Sequence, residues 1–224
     1  MSKKLFAAFM TIAAFAAFAM ASTASAAPVI THPTGSVLTA GGTLIKGINT
    51  GETVMTSSLG NVTCSLSEIT GTLDSNSTAS GVKGTITSAT FQGTGTTATN
   101  GDKECTSWTG GVTVTPGVSG GLPWCLEATE AKDEGKIRGG ACSEPSRSIK
   151  YALDFTSIGT CNYVRENAAV GSLVTDTTGQ AAQVSLASQE WLAAAGNPFG
   201  CPSSGKLDMT FNLTSGGSAV YFSS

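Results

Sequence analysis

The chain has 224 residues, with 15 acidic against 12 basic side chains, and only 12% of it is charged. The basic residues stand singly rather than in runs, which excludes a surface that tracks phosphates, and with it nucleic acid as a partner. With 28 glycines and much Ser, Thr and Asn, the surface must be hydrated by small uncharged polar groups, a composition that suits turn-rich β-structure.

At the N-terminus, Lys3 and Lys4 precede an apolar run from Leu5 to Met20, and Ala24-Ser25-Ala26 follows as a small-residue cleavage pattern. That order reads as a secretory signal peptide over residues 1–26. The run is shorter than the ~20 residues a membrane-spanning helix needs, and no second such run follows, so the mature chain is expected to carry no transmembrane segment. Cleavage leaves residues 27–224 with 10 basic against 15 acidic side chains, a net charge of −5. No Cys lies near the cleavage point, and "SAVYFSS" at the C-terminus has no anchor-like character. The product is expected to be secreted, either released or held at the cell surface by non-covalent contacts.

Residues 27–42 read as a mobile N-terminal arm, and the only histidine, His32, lies in it. A Ser-His-Asp or Cys-His mechanism needs a base that takes and returns a proton near neutral pH, and zinc sites are usually rich in His. With one His on an arm, those hydrolase classes are not expected.

From residue 43 to 224 a single domain is expected, and its segments alternate with period two, the mark of half-buried strands. In chain order these are Thr43–Asn49, Thr53–Ser57, "NVTCSL" with Val62, Cys64 and Leu66 on one face, Glu68–Leu73 and Gly84–Phe91. "GVTVT" with Val112 and Val114 comes next, and "LPWCLEAT" follows with Leu122, Trp124, Leu126 and Ala128 facing the core. Lys136–Gly140 reads as its return strand across an acidic turn, "EAKDEGK". "IKYALDF" with Tyr151, Leu153 and Phe155, then Leu173–Thr175, "QVSL" with Val184 and Leu186, "KLDMTFNLT" with Leu207, Met209, Phe211 and Leu213, and Ala219–Phe222 complete the set. Only "ASQEWLAAAG" has the wording of a helical turn or two. Many short strands separated by Gly/Ser/Asn/Thr clusters predict an all-β, antiparallel β-sandwich, immunoglobulin-like or jelly-roll-like, with a partly open β-barrel as the alternative. A membrane barrel would need strands of ~9–11 residues, which are mostly missing from the pattern.

Six cysteines fall after residue 26: Cys64, Cys105, Cys125, Cys142, Cys161 and Cys201. An even count in an exported chain reads as a disulfide framework, and no Cys-x-x-Cys occurs. Fifteen pairings are open to six cysteines; the expectation is the sequential set, Cys64–Cys105, Cys125–Cys142 and Cys161–Cys201.

Three candidate chemistries remain. Glu127 with Glu130 or Asp154 offers paired carboxylates of the kind that hydrolyse glycosides. The acidic cluster around "EATEAKDEG" offers oxygen ligands for calcium, though without EF-hand spacing. Trp191 and Phe199 bracket an apolar loop, "EWLAAAGNPFGCP", which is a patch for a lipid, hydrocarbon or partner if exposed and a plug over one end of the fold if buried. The common reading of the acidic stretch is a disulfide-tied hairpin, and no catalytic residue, metal or cofactor is expected. Asn61, Asn76 and Asn212 fit the Asn-x-Ser/Thr pattern.

The order of Cys64 followed by "SEITGT", the "GTITSATF" strand, Leu122-Pro123-Trp124, Cys161 with Tyr163, and "CPSSGKLDMTFNLT" resembles a family of small exported bacterial β-proteins, common in actinobacteria. It is loosely similar to the secreted protein activator of alkane oxidation (PraB type), with its "LPW" and spaced cysteines. Cys125 and Cys142 depart from that pattern. The resemblance implies a secreted, non-enzymatic role at the cell surface or with an apolar substrate. The expected function is therefore a non-catalytic extracellular protein with a structural or binding role, its partners being envelope components, lipid or hydrocarbon, or copies of itself. The alternatives are a carrier or activator that engages hydrocarbon or lipid, and then a carboxylate-based glycan hydrolase.

Overall fold

In the computed structural model the described residues are 27–93, 104–116, 121–128, 134–166, 169–174 and 181–223; the expected signal peptide, 1–26, lies outside them. They contain seventeen strands and no helix. The first six are β1 (Val29–Thr31), β2 (Thr43–Asn49), β3 (Thr53–Ser57), β4 (Gly60–Cys64), β5 (Leu66–Ser77) and β6 (Gly81–Gln92). Then come β7 (Cys105–Ser107), β8 (Gly110–Pro116), β9 (Trp124–Ala128), β10 (Glu134–Gly139), β11 (Ile149–Phe155) and β12 (Gly159–Arg165). The last are β13 (Ala169–Val174), β14 (Gln183–Ala193), β15 (Ser204–Ser215), β16 (Ser218–Ala219) and β17 (Tyr221–Ser223).

Period-two patterning decides which side of each strand is buried. Leu207, Met209, Phe211 and Leu213 face inward along β15, as do Val112 and Val114 on β8, Tyr151, Leu153 and Phe155 on β11, and Val184 and Leu186 on β14. Outward positions carry Lys46, Glu68, Lys83, Glu127 and Lys136, and Lys46 Nζ pairs with Glu68 at 2.6 Å. Apolar inside and charged outside is the reverse of a membrane barrel.

β14 and β15 are antiparallel partners along most of their length, from Gln183 opposite Asn212 to Leu192 opposite Ser204. Each half of this hairpin joins a different set of strands. The half with Val184 and Leu213 pairs with β13 and β2, and the sheet runs β2–β5–β6–β9–β10–β13 back to β14. That circuit is a closed eight-strand barrel. The other half pairs with β12 (Tyr163 opposite Ala193) and β3 (Leu207 opposite Met55), and closes a second circuit of eight strands through β4, β7, β8 and β11. Between the halves the β14 register shifts from Leu186 to Gln189, with Ser188 at φ 51°. The Ser188 N–H donates to Asp208 Oδ1 at 2.7 Å, fixing this bulge. A bulge bends its strand and raises its twist, which lets one hairpin leave one barrel and enter the next.

Closure overrides the expected open-edged sandwich in favour of the barrel alternative, because the strand edges that a sandwich exposes are here paired. One buried cluster runs through both circuits, from Leu73, Val82 and Leu213 to Val62, Val112 and Phe155.

Three local expectations need correction. Most of the "ASQEWLAAAG" stretch, through Ala193, is strand rather than helical turn, since ladder pairing to β15 and burial of Trp191 outweigh helical propensity. Leu66 does not share a face with Val62 and Cys64. The chain bends at Ser65 and β5 starts with Leu66 outside and Ser67, Ile69 and Leu73 inside. Residues 27–42, expected as a mobile arm, are docked: Ile30 and Leu38 are buried and β1 pairs with β17. The fastener is Asn76. Its Oδ1 accepts from the Ile30 N–H at 2.7 Å, and its Nδ2 donates to the carbonyls of Ile30 and Leu38, both at 2.8 Å.

Replacing Asn76→Ala takes their partner from the Ile30 N–H and the Leu38 carbonyl, while the Ile30 carbonyl keeps the Leu38 N–H, at a cost of about 1–3 kcal/mol. The expected result is a lower denaturation midpoint together with protease cleavage within 27–42 in the native state; an unchanged cleavage pattern would mean that Asn76 does not hold the segment.

Candidate functional site

The tied hairpin of β9 and β10 forms as expected, with Trp124, Leu126 and Ala128 buried and Cys125 bonded to Cys142. Around it the polar groups use up one another's capacity. Arg138 donates from Nε and Nη2 to Glu127 Oε1, at 3.3 and 3.1 Å, and from Nη2 and Nη1 to the carbonyls of Cys142 and Ala141. Lys83 Nζ adds a second cation 4.0 Å from the same carboxylate oxygen. The Cys142 N–H donates to the Thr85 hydroxyl, which donates to Asp74.

The ligating atoms of Cys125, Glu127 and Cys142 lie within 4.8 Å of one another. With both sulfurs in a disulfide, neither is a thiolate, so the trio lacks the charge that binds zinc. Glu127 is not paired with a second carboxylate either. Asp154 sits on β11 in the other circuit, accepting from the Thr160 hydroxyl, and Glu130 and Asp133 lie outside the described residues. His32 is exposed.

Trp191 and Phe199, expected as one apolar patch, are separated. Trp191 is buried, edge-on to Tyr151 at a centroid distance of 4.6 Å, and Tyr151 stacks on Tyr163 at 5.2 Å. Trp191 also lines an apolar void of about 20 Å³ with Met55, Trp124 and Met209; a second of about 30 Å³ lies among Ile45, Ile69, Val82 and Leu213. Spaces of that size hold a water-sized sphere or two, not a hydrocarbon chain. Burial pushes the Tyr163 hydroxyl up to about 12, and raises Tyr151 further still, with the neighbouring Tyr163 adding to the effect.

Phe199, by contrast, is wholly exposed, at 106% of the reference area. It stands at one end of the second circuit, where four hairpins turn: 58–59 between β3 and β4, 108–109 between β7 and β8, 156–158 between β11 and β12, and 194–203 between β14 and β15. Ladder registers put the four turns side by side. Phe155 lies opposite Val112, Gly205 opposite Ser57, and a Cβ built on Gly60 would lie 3.2 Å from Trp108. The turns read "SSLGN", "SWTGG", "TSIGT" and "AAGNPFGCPSS", with no charged residue among them. Leu59 and Trp108 are exposed at the same end as Phe199, and Ile158 is half-buried, within 3.3 Å of where a Cβ on Gly200 would stand.

The loop carrying Phe199 is held at several points. Cys201 is bonded to Cys161, Asn197 exchanges two 2.8 Å hydrogen bonds with the Asn162 backbone, and the Ala194 N–H donates to the Asn162 carbonyl at 2.8 Å. Trp108, Leu59 and Ile158 were not singled out by the sequence. The signal available was the lack of charge in four successive turns, which matters only once the turns are known to meet.

No family model matches the chain, and no curated protein or solved structure matches it.

Because an unfolded tyrosine ionises near ~10, the raised values of Tyr163 and Tyr151 mean that the folded state keeps protons the unfolded state has released. Their stabilising contribution is complete below pH ~10 and is lost as pH climbs toward the folded values. Absorbance near ~295 nm should show two tyrosines still protonated at pH ~11 in the native protein and ionised in denaturant. Tyr163→Phe should flatten the alkaline loss of stability; an unchanged alkaline slope would deny Tyr163 that role.

Proposed function

We propose that the chain is an exported, non-catalytic binding module that acts outside the reducing cytosol and engages its partner through the uncharged hairpin end around Phe199. The observation that carries this reading is a fully exposed aromatic side chain on a loop tied down by a disulfide and an asparagine clamp, within four charge-free turns. Holding an apolar group in place at solvent is costly unless contact follows, and a preorganised loop loses little entropy on binding.

Several features support the rest. All six cysteines are bonded, in the sequential pairing, and such bonds persist in oxidising compartments. The expected signal peptide agrees with that. The carboxylate best placed for chemistry, Glu127, is neutralised by Arg138 and Lys83, and the sole imidazole is on the surface. The carrier reading shifts in location: an apolar partner would be met on the outer end rather than in the water-sized voids found among the described residues.

Three outcomes are expected. Non-reducing mass spectrometry of native material should show all three bonds formed, and alkylatable thiols would place the protein in a reducing compartment. In graded reductant, the pairs ending at half-buried Cys142 and Cys201 should open before Cys64–Cys105, whose sulfurs are both fully buried. On fractionation of producing cells, the native chain should be retained on the envelope and a Phe199→Asp, Leu59→Ser double variant released. Equal distribution of the two would remove the hairpin end from the binding role.

A further inference from the structure

We infer that the partner of this end is a neutral lipid surface, into which Phe199 inserts with Trp108 and Leu59 at the boundary. The inference rests on the binding role proposed for the hairpin end and gives that end its ligand.

Three properties of the site separate a lipid surface from other occupants. The first is charge. The turns 58–59, 108–109, 156–158 and 194–203 hold none, and within two positions of them the one charged side chain is Asp154, whose carboxylate accepts from the Thr160 hydroxyl. An end without basic residues gains nothing from anionic headgroups or an acidic partner, and a single carboxylate already held by a hydroxyl gives a basic partner little to pair with. The turns themselves incur no charge desolvation on entering an apolar phase. The second is shape. Phe199 stands wholly exposed on its tied loop, and the recess beside Trp108, Pro202 and Gly205 measures only about 10 Å³. A protein partner, or a second copy, must offer a matching hole, and the recesses of about 10–30 Å³ among the described residues of this chain are too small to receive a phenyl ring. A fluid lipid layer accepts a knob without complementary shape. The third is chemistry. Phenylalanine and leucine side chains suit the acyl region, while an indole with an apolar body and one N–H suits the boundary. The glycine, serine, threonine and asparagine of the four turns hydrate the headgroup level without charge.

Trp108 supplies a built-in reporter. Of the three tryptophans, Trp124 and Trp191 are buried and Trp108 is exposed, so a change in emission on binding comes from the hairpin end.

The test uses the oxidised mature chain and phosphatidylcholine vesicles, with flotation to measure binding and Trp emission to locate it. Expected are co-flotation, a blue shift, and shielding of Trp108 from an aqueous quencher, all insensitive to salt. Burying a phenylalanine is worth roughly tenfold to a hundredfold in affinity, so Phe199→Ala should weaken binding by about that factor and Phe199→Asp abolish it. Because Phe199 is fully exposed, both variants should keep the native melting temperature, and that measurement separates loss of binding from loss of fold. Lys83→Gln at the opposite end should bind like the native chain. Vesicle binding that persists in Phe199→Asp overturns the inference, and so does binding that needs anionic lipid and disappears in salt. A concentration-dependent dimer that Phe199→Asp dissolves, without vesicle binding, also overturns the lipid assignment but leaves the hairpin end as the binding surface. No binding to vesicles, together with envelope retention unaffected by Phe199→Asp, overturns both.

Discussion

The antiparallel pairing of Gln183–Leu192 with Ser204–Asn212 is the constraint from which the rest of the architecture follows. Two eight-strand circuits share these strands, so neither barrel can close unless the hairpin keeps its register, and a slip would turn the buried faces of both outward. The bulge at Ser188 is where that single element changes allegiance. Phe211, Leu207 and Leu186 project from the shared strands into one continuous core, which couples the packing of the two circuits.

Two of the three disulfides sit where hydrogen bonding is thinnest. The seam between β4 and β7 has one paired position, Thr63 with Thr106, and Cys64–Cys105 spans the adjacent one. The β12–β14 seam has two, and Cys161–Cys201 fastens the loop that extends from it. Cys125–Cys142 ties the segment after β10 back over β9, where Arg138 also grips its carbonyls. A cross-link of this kind typically contributes ~2–4 kcal/mol, chiefly by restricting the unfolded chain. Placed at seams, it also stops a barrel from opening locally at the point of fewest ladder bonds.

How much of this was legible follows from where the information resides. Strands with four alternating apolar residues, such as β15, announce themselves, and Thr43–Asn49 and Thr53–Ser57 are bounded by glycine-bearing turns at both ends. Cysteine pairing matched the sequential expectation because each bond closes a nearby segment. Strands β1 and β7 are three residues long, too short for a period to register, and β12 has only Cys161 and Tyr163 inside. Barrel closure depends on which edges meet, a long-range property that alternation does not encode. The same holds for the hairpin end: Phe199 was visible as an apolar residue in a loop, but Leu59 and Trp108 are 140 and 91 positions away in the chain and reach the same end only through the second circuit.

The Asn76 amide has a consequence for covalent decoration. Of the three Asn-x-Ser/Thr sites, Asn61 alone is exposed; Asn212 has a buried carbonyl oxygen, and both polar atoms of the Asn76 amide are engaged by the backbone of the docked N-terminal segment. A sugar joined to Asn76 Nδ2 before the chain collapsed would leave that nitrogen a single N–H for the two carbonyls it serves, of Ile30 and Leu38, and would put a glycan where β1 docks. Order of events therefore matters: a host that attaches glycans during translocation would yield a misassembled product at this position, whereas one that attaches them to finished protein would find only Asn61 within reach.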